Sequence, residues 1–339
     1  MSIQRKNVSP IGTSAPGAAM IIMDRVTKRI GDHTLVENLS FEVKQGEIFG
    51  FIGPSGAGKT STIRLLTGVY GPTEGKITVM GISPDHPSRR VQDRIGYMPQ
   101  LFVLYPNLSV RENLNFVAGL YGMNPFRKGK RINELLKFVE LWDARRRLAS
   151  KVSGGMQRRI ELAASLLHNP PLVFADEPTA GIDPVLRGKF WEEFRRLRDE
   201  GRTIFVTTQY VGESEYCDRI GVIRKGRIIA LDTPLGLRRT ALGGDVMDIQ
   251  ASDLTPQAVL ALANLSIVRE IRPISRTEVR AYVQEAGPAI PVLLDSLNAS
   301  RCTVTRIEEY RPNFDEVFIE LMNRDAAARG EKAGDSEID

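Results

Sequence analysis

The stretch GPSGAGKTS constrains the fold of this chain more than any other part of the sequence. It follows the apolar run Ile48–Ile52, which predicts a buried strand, and it precedes a helical pattern that includes Ile63 and Leu66. Glycines let the backbone fold its N–H groups around phosphate oxygens, and the start of a helix adds a favourable dipole. The pattern therefore predicts a strand, a phosphate-binding loop and a helix, in that order.

Two residues of this loop have predicted roles of their own. Lys59 would place a positive charge on the outer phosphates, and the Thr60 hydroxyl would ligate Mg²⁺. The alternative is a chance Gly-rich turn with an exposed lysine, but the strand and the helix both stand where a phosphate loop needs them. The predicted phosphate-contacting residues are Gly53, Pro54, Ser55, Gly56, Ala57, Gly58, Lys59, Thr60 and Ser61.

Two adjacent acids follow a second apolar run, in the stretch LVFADEPTAGID. The carboxyl end of a strand in a parallel sheet faces the ligand crevice, so Asp176 is expected to hold Mg²⁺ through water. Glu177 would point elsewhere and would orient or deprotonate an attacking water. The alternative is that both acids only cap the turn at Pro178.

A third stretch, VSGGMQ, opens a helix with Ser153, Gly154 and Gly155. The N–H groups of this turn and the serine hydroxyl would form a second anion site. Serine before glycines is also an ordinary helix N-cap, and this stretch alone does not decide between the two interpretations.

Together the three stretches resemble the nucleotide-binding subunit of an ABC transporter, over about Ile21–Leu231. The resemblance implies an ATPase that binds ATP and Mg²⁺. It also implies a homodimer or heterodimer closed head to tail, with each ATP between Lys59 of one subunit and the Ser153–Gly155 turn of the other. Gln100 stands where the family has its magnesium- and water-contacting glutamine, and Asp183 where it has the D-loop aspartate.

Two positions depart from the family pattern. Ile30 replaces the aromatic ring that stacks on adenine, unless His33 or a partner substitutes for it. Gln209 replaces the histidine that contacts the γ-phosphate, and glutamine can donate a hydrogen bond but cannot become cationic. We expect a working ATPase with Glu177 as its base; the alternative is a clamp that binds ATP and hardly hydrolyses it.

Strands that alternate with helices predict an α/β fold with a parallel sheet. The resemblance implies a P-loop NTPase of the ABC type, with a RecA-like parallel core, an antiparallel β subdomain and a helical insert at about residues 101–168. Past Gly243, the order β-α-β-β-α-β predicts a small α+β split-βαβ domain. The expected organisation is a disordered segment 1–19, the ATPase domain 20–243, an accessory domain 244–324 that closes with a helix, and a disordered tail 325–339.

The apolar runs of this chain reach only strand length, short of the roughly 18 residues that a membrane span needs. A transporter of this family would therefore need a separate transmembrane permease subunit, with this chain at the cytoplasmic face of the cell membrane. Leu101, Phe102, Leu104 and Tyr105 would form an apolar docking patch, or else they belong to the core. The stretch RPNFDEVFIELM resembles the drug, lipid and polysaccharide export branch, which favours export over import.

Other classes of partner are disfavoured by composition. The formal net charge of +5 is mild and spread along the chain, which favours a solvated surface over lipid or nucleic acid. Two distant cysteines and three histidines argue against a zinc site and fit a reducing compartment. ABC ATPases that act on ribosomes or DNA stay open as alternatives, although among the proposed strands of the accessory domain only Tyr282 could stack on a base.

Overall fold

The computed structural model describes residues 19–85 and 89–331, and these residues form thirteen strands and ten α-helices. The strands are β1 (Ala19–Ile30), β2 (His33–Lys44), β3 (Ile48–Ile52), β4 (Glu74–Val79), β5 (Ile95–Met98), β6 (Leu172–Asp176), β7 (Thr203–Thr208), β8 (Arg219–Arg224), β9 (Arg227–Asp232), β10 (Asp245–Ser252), β11 (Val268–Pro273), β12 (Glu278–Val283) and β13 (Thr303–Glu309). The helices are α1 (Lys59–Leu66), α2 (Arg89–Gln92), α3 (Val110–Leu120), α4 (Pro125–Phe138), α5 (Gly154–Ser165), α6 (Pro184–Asp199), α7 (Pro234–Leu242), α8 (Pro256–Ala263), α9 (Ala286–Ala299) and α10 (Phe314–Ala328).

The largest sheet has six strands in the order β5-β6-β7-β3-β8-β9. The pairs β5 with β6 and β3 with β8 run parallel, and β9 closes the edge antiparallel to β8. Every residue of β3, β6 and β7 is buried, as expected for strands covered on both faces. The predicted α/β fold with a parallel core is confirmed.

A second sheet is antiparallel and has the order β2-β1-β4. Strands β1 and β2 form a hairpin whose turn is Gly31–Asp32, with Ile30 opposite His33. Gly31 has φ of +56°, a conformation that glycine adopts without steric cost. This sheet matches the antiparallel β subdomain that the resemblance implied.

Helices α3, α4 and α5 lie between β5 and β6 in the chain, as the predicted helical insert requires. Ser109 caps α3 in a reciprocal capping box, because its hydroxyl accepts the Glu112 N–H and the Glu112 carboxylate accepts the Ser109 N–H. Asn124 caps α4 and Ser153 caps α5. Side-chain caps therefore set where each of the three helices begins.

The C-terminal sheet has the order β11-β12-β10-β13, and its neighbouring strands are all antiparallel. Helices α8 and α9 lie in the two crossover connections, so the split-βαβ arrangement is confirmed. Apolar side chains of β10 and β12 form one core with those of the two helices. The buried members include Met247, Ile249, Val279, Leu262, Leu293 and Leu297.

Contacts between Cα atoms divide the chain into two compact units. Of the described residues, one unit contains 19–47, 61–85, 89–175 and 181–205, and the other contains 48–60, 176–180 and 206–331. Lys59, Thr60, Asp176, Glu177 and Gln209 all belong to the second unit. The domain boundaries expected from the sequence stay a prediction.

Three local expectations need correction. Helix α7 was not expected at all. Helix α10 continues to Ala328, past Asp325 where a disordered tail was expected, and Ala19 already belongs to β1. The rest of the two expected disordered segments, residues 1–18 and 332–339, lies outside the described residues.

Candidate nucleotide-binding site

The loop between β3 and α1 is shaped by glycines and by its contact with β8. A Cβ on Gly53 would lie 2.2 Å from the Ile223 carbonyl oxygen, so only glycine fits there. Gly56 and Gly58 have φ of +74° and +106°, values that side-chain-bearing residues rarely adopt. Helix α1 then begins at Lys59. The backbone therefore makes the turn that a phosphate-binding loop requires.

Lys59 is buried and folds back over the loop. Its Nζ donates to the carbonyl oxygens of Gly53, at 2.9 Å, and Pro54, at 3.0 Å. It also pairs with Glu177 Oε1 at 3.2 Å, and both side chains are less than a tenth exposed. A buried charge must be paired or solvated, so this ion pair brings together the predicted phosphate contact and the predicted base.

Asp176, at the end of β6, is held by two threonine hydroxyls. Its Oδ1 accepts hydrogen bonds from Thr207 Oγ1 at 2.5 Å and from Thr60 Oγ1 at 3.3 Å. Burial raises the pKa of Asp176, and these two hydrogen bonds act against the rise. These contacts of Asp176 do not support the alternative in which its carboxylate only caps the turn at Pro178.

The second carboxylate oxygen of Asp176 fits a role as metal ligand. Oδ2 is buried and has no hydrogen-bond partner among the described residues. A buried oxygen without a donor needs a cation or water, and Mg²⁺ prefers oxygen ligands of this kind. The Thr60 hydroxyl, on the other side of the same carboxylate, supplies a second oxygen. These residues therefore fit the predicted Mg²⁺ site.

Glu177 sits on strained backbone. Its φ is +46°, in the left-handed region that non-glycine residues seldom occupy. Its N–H donates both to the Thr207 carbonyl oxygen, at 3.0 Å, and to Thr207 Oγ1, at 3.1 Å. Two residues on, Thr179 Oγ1 donates to Glu213 Oε1 at 2.5 Å. These bonds hold the turn after β6 in a conformation that it would not adopt by itself.

Thr207 is the residue that the sequence reasoning missed. One hydroxyl bridges both acids, since it donates to Asp176 and accepts from the Glu177 N–H. The signal was a pair of threonines at the end of an apolar strand, directly before Gln209. Polar residues that end a strand of a parallel core lie at the ligand-binding edge of the sheet.

The remaining predicted residues lie at the ends of strands or at the start of a helix. Gln209 directly follows β7. Its side chain is exposed and makes no hydrogen bond among the described residues. Ile30 ends β1 and is 49% exposed. Asp183 caps α6 by accepting the Leu186 N–H at 3.0 Å. The nucleotide contacts predicted for these residues stay predictions.

The Ser153–Gly155 turn begins α5 as a capped helix. Ser153 is exposed, and its Oγ accepts the Met156 N–H at 3.3 Å, so the N-cap interpretation is correct. A Cβ on Gly154 would meet open space, whereas one on Gly155 would lie 2.7 Å from Leu186 Cδ2. Close packing on α6 thus explains Gly155, and an anion contact at this exposed turn stays a prediction.

A buried arginine of α5 fixes the segment that contains Gln100. Arg158 donates to the carbonyl oxygens of Pro99, at 2.7 Å, and Gln100, and it pairs with Glu161 at 2.9 Å. The Gln100 side chain itself is exposed. The Val103 N–H donates to Glu161 Oε1 at 3.2 Å. Backbone contacts with one helix therefore set the course of the chain after β5.

The predicted apolar patch after Gln100 is partly exposed. Leu101 is 75% and Tyr105 51% exposed, while Phe102 and Leu104 are half-buried. Tyr105 packs edge-on against Phe116 with ring centroids 4.8 Å apart. The core interpretation therefore does not account for Leu101 and Tyr105.

A parallel sheet that carries this Gly-rich loop, a buried lysine and a threonine-bound aspartate defines a P-loop nucleoside triphosphatase. The family profile described as "ABC transporter" matches residues 36–180. The linearmycin resistance ATP-binding protein LnrL of Bacillus subtilis is 34% identical over 90% of this chain and 99% of its own length. The chain belongs to the ATP-binding proteins of the ABC transporter family, and it binds ATP as that family does.

Two further relatives carry transport names. The Nod factor export ATP-binding protein I of Paraburkholderia xenovorans is 36% identical over 91% of this chain and 98% of its own length. The probable multidrug ABC transporter ATP-binding protein YbhF of Escherichia coli is 36% identical over 71% of this chain. The chain spans only 43% of the length of YbhF.

Solved structures of the family share the fold. An ATP-binding subunit of an ABC transporter superposes with a TM-score of 0.60 and 26% identity, over 65% of this chain and 92% of that chain. The ATP-binding cassette MJ0796, a dimer in a post-hydrolysis state bound to ADP and Pi, superposes with a TM-score of 0.58 and 28% identity, over 63% of this chain and 98% of that chain.

Within residues 19–85 and 89–331, no helix combines the length and apolar character that crossing a membrane requires.

Proposed function

We propose that this chain is the ATP-hydrolysing subunit of an exporter whose membrane-spanning part is a separate permease subunit. The observation that carries the proposal is the cluster of Lys59, Thr60, Asp176 and Glu177, joined by contacts of 3.3 Å or less. The name of the Nod factor export ATP-binding protein I supports export, and the multidrug and resistance names of YbhF and LnrL fit that direction. The cargo is not specified by an ATPase subunit.

In this proposal the phosphate loop and Lys59 bind the β- and γ-phosphates of ATP. Asp176 and Thr60 would hold Mg²⁺, which would supply positive charge against the phosphate oxygens. Glu177 orients or deprotonates the attacking water. The hydrogen bonds from its N–H to Thr207 fix the backbone from which its side chain extends. Positioning and electrostatic stabilisation carry most of such a reaction, so a buried and well-bonded cluster suits it.

The chemistry of Gln209 determines whether the chain hydrolyses ATP or only binds ATP and closes on it. Its exposed amide can donate a hydrogen bond to a γ-phosphate oxygen but cannot supply positive charge. If positioning suffices, the chain hydrolyses ATP; if charge is needed, the chain binds ATP, closes and hardly turns it over. Since Glu177 is buried beside Lys59, we favour hydrolysis.

Two copies, or this chain and a paralogue, would close head to tail on two ATP molecules. The dimeric MJ0796 cassette supports assembly of this kind. The Ser153–Gly155 turn of one copy would bind the phosphates held by Lys59 of the other, and the exposure of Ser153 and Gly154 leaves that turn accessible. Ile30 would contact adenine without stacking on it.

The permease would dock on the segment that begins at Leu101, at the cytoplasmic face of the membrane. Exposed apolar side chains at Leu101 and Tyr105 offer a surface for an apolar partner helix. A nucleic-acid-binding role has less support, because Tyr282 is only 7% exposed and lies beneath Arg272, 4.7 Å from the ring centroid.

The test is steady-state ATP hydrolysis in Mg²⁺, by the purified chain alone and with its permease. Wild type is expected to turn over, Glu177→Gln to be inactive, and Gln209→His to match or exceed wild type. Hydrolysis by Glu177→Gln at the wild-type rate would contradict the assigned base. If wild type is as inert as Glu177→Gln while Gln209→His gains activity, the clamp is the correct function.

A further inference from the structure

The end of β8 and the turn that follows it contact both ends of the phosphate loop. At one end the Gly226 N–H donates to the Ala57 carbonyl oxygen at 3.0 Å. At the other end the Ile223 carbonyl oxygen occupies the space beside Gly53. Strand β8 also pairs in parallel with β3, the strand that leads into the loop. A shift of this turn would therefore move the loop backbone.

Arg224, the last residue of β8, ties this turn to the C-terminal segment of the chain. Its Nη1 donates to Asp325 Oδ2 and its Nη2 to Glu331 Oε2, both at 2.7 Å. Lys225 Nζ reaches the same Glu331 oxygen at 3.0 Å. The Arg224 and Asp325 side chains are 9% and 14% exposed and Glu331 is 26% exposed, so the pair with Asp325 is the one better shielded from water.

The far side of the bridge is itself fixed. Arg329 Nε holds the other Asp325 oxygen at 2.9 Å, and Arg324 donates to the Thr240 carbonyl oxygen, in α7, at 2.6 Å. The end of α10 is thus fastened to its own next turn and to a neighbouring helix. A planar guanidinium that spans two carboxylates needs this fixed geometry, which a lysine cannot reproduce.

We propose that Arg224 is a positioning residue for ATP binding. By holding Asp325 and Glu331 it keeps the 225–226 turn against Ala57, so that the end of α10 helps to set the shape of the phosphate loop and its affinity for ATP. This inference rests on the proposed binding of ATP at that loop. It gives the C-terminal segment a role in the ATPase site.

The double variant Asp325→Asn/Glu331→Gln removes both carboxylates and keeps their size. Because each bond to a charged group contributes more than a neutral one, we expect the KM for ATP to rise about five- to tenfold. The kcat at saturating ATP should stay within about twofold of wild type, since no group proposed to touch water or phosphate is changed. Amide hydrogen exchange at residues 53–58, measured without added nucleotide, should become faster.

Two further variants make the comparison specific. Glu320→Gln removes an exposed ion pair of the same helix, with Arg324 at 3.0 Å, and should leave KM and exchange unchanged. Arg224→Lys keeps one positive charge without the fork, and its KM should lie between those of wild type and the double variant. Should the double variant not fold, Glu331→Gln alone, at a partner 26% exposed, should show a smaller rise in KM.

Each outcome decides something definite. Unchanged KM and unchanged exchange at residues 53–58 in a folded variant would overturn the positioning role. So would a fall in kcat that follows the folded fraction at constant KM, because that describes a merely structural contact. If wild type binds no ATP at all, the proposed function fails instead.

Discussion

Thr207→Val is the change that tests most directly how the two acids are held. Valine has nearly the shape of threonine, so the strand should stay packed, but the hydroxyl that bridges Asp176 and the Glu177 N–H is lost. The Glu177 N–H keeps the carbonyl oxygen of residue 207 at 3.0 Å, which the substitution leaves in place. The substitution therefore mainly removes a hydrogen bond to Asp176, whose Oδ1 keeps, within the described part of the chain, one donor, Thr60 Oγ1 at 3.3 Å.

The expected loss of unfolding free energy is about 2 kcal/mol, since a hydrogen bond to a charged group contributes roughly 1.5–3 kcal/mol. It should depend on pH. Burial raises the pKa of Asp176, and the bond from Thr207 acts against that rise, so the variant raises this pKa further. A carboxyl group whose pKa is raised by folding contributes its full stabilisation at low pH, where it is protonated. That contribution is lost as the pH rises through its folded-state pKa. The difference in unfolding free energy between variant and wild type should therefore increase with rising pH.

The assay is urea unfolding of both proteins from about pH 5 to about pH 8, without nucleotide. Thr208→Val is the matched control, because this neighbour is also buried and, among the described residues, its hydroxyl makes one hydrogen bond, from the Tyr210 N–H at 3.0 Å. The control should lose roughly 1 kcal/mol at every pH. Equal and pH-independent losses in the two variants would refute the view that Thr207 stabilises an ionised Asp176.

Three other changes have clear expected outcomes. Gly53→Ala should abolish binding in an ATP-analogue titration, since its Cβ would lie 2.2 Å from the Ile223 carbonyl oxygen; retained binding would contradict the close approach. Ile30→Tyr should tighten ATP binding about three- to tenfold in the same titration, because ring stacking adds roughly 1 kcal/mol, and unchanged affinity would place residue 30 away from adenine. Leu101→Glu should prevent co-purification with the permease while ATP binding stays within about twofold, and an intact complex would refute docking at this 75% exposed side chain.

The parts of the fold and site that the sequence predicts well are those encoded within about ten residues. Glycines in the loop, the lysine at its end and the buried strand before it all act on their immediate neighbours, so GPSGAGKTS alone specifies strand, loop and helix. Asp176 was found for the same reason, because it ends an apolar run. Alternating elements likewise predicted the parallel core.

What the sequence did not reveal depends on pairing between distant segments. Thr207 matters only because β7 brings its hydroxyl to Asp176, 31 residues earlier in the chain. The continuation of α10 past Asp325 is stabilised by Arg224, 101 residues away. Helix α7 is different, since Thr233 as its N-cap and Gly243 as its C-cap, with φ of +71°, were readable signals.

Arg158 gives α5 a mechanical property that follows from its position. The helix begins at the turn proposed to contact a partner's ATP, and Arg158 lies five residues beyond Ser153, about 7.5 Å along the axis. Its guanidinium donates hydrogen bonds to the Pro99 and Gln100 carbonyl oxygens, immediately before Leu101. A helix is stiff over that length, so this part of α5 would move as a rigid body. A displacement at Ser153 would travel through one buried side chain to the surface that we assign to the permease.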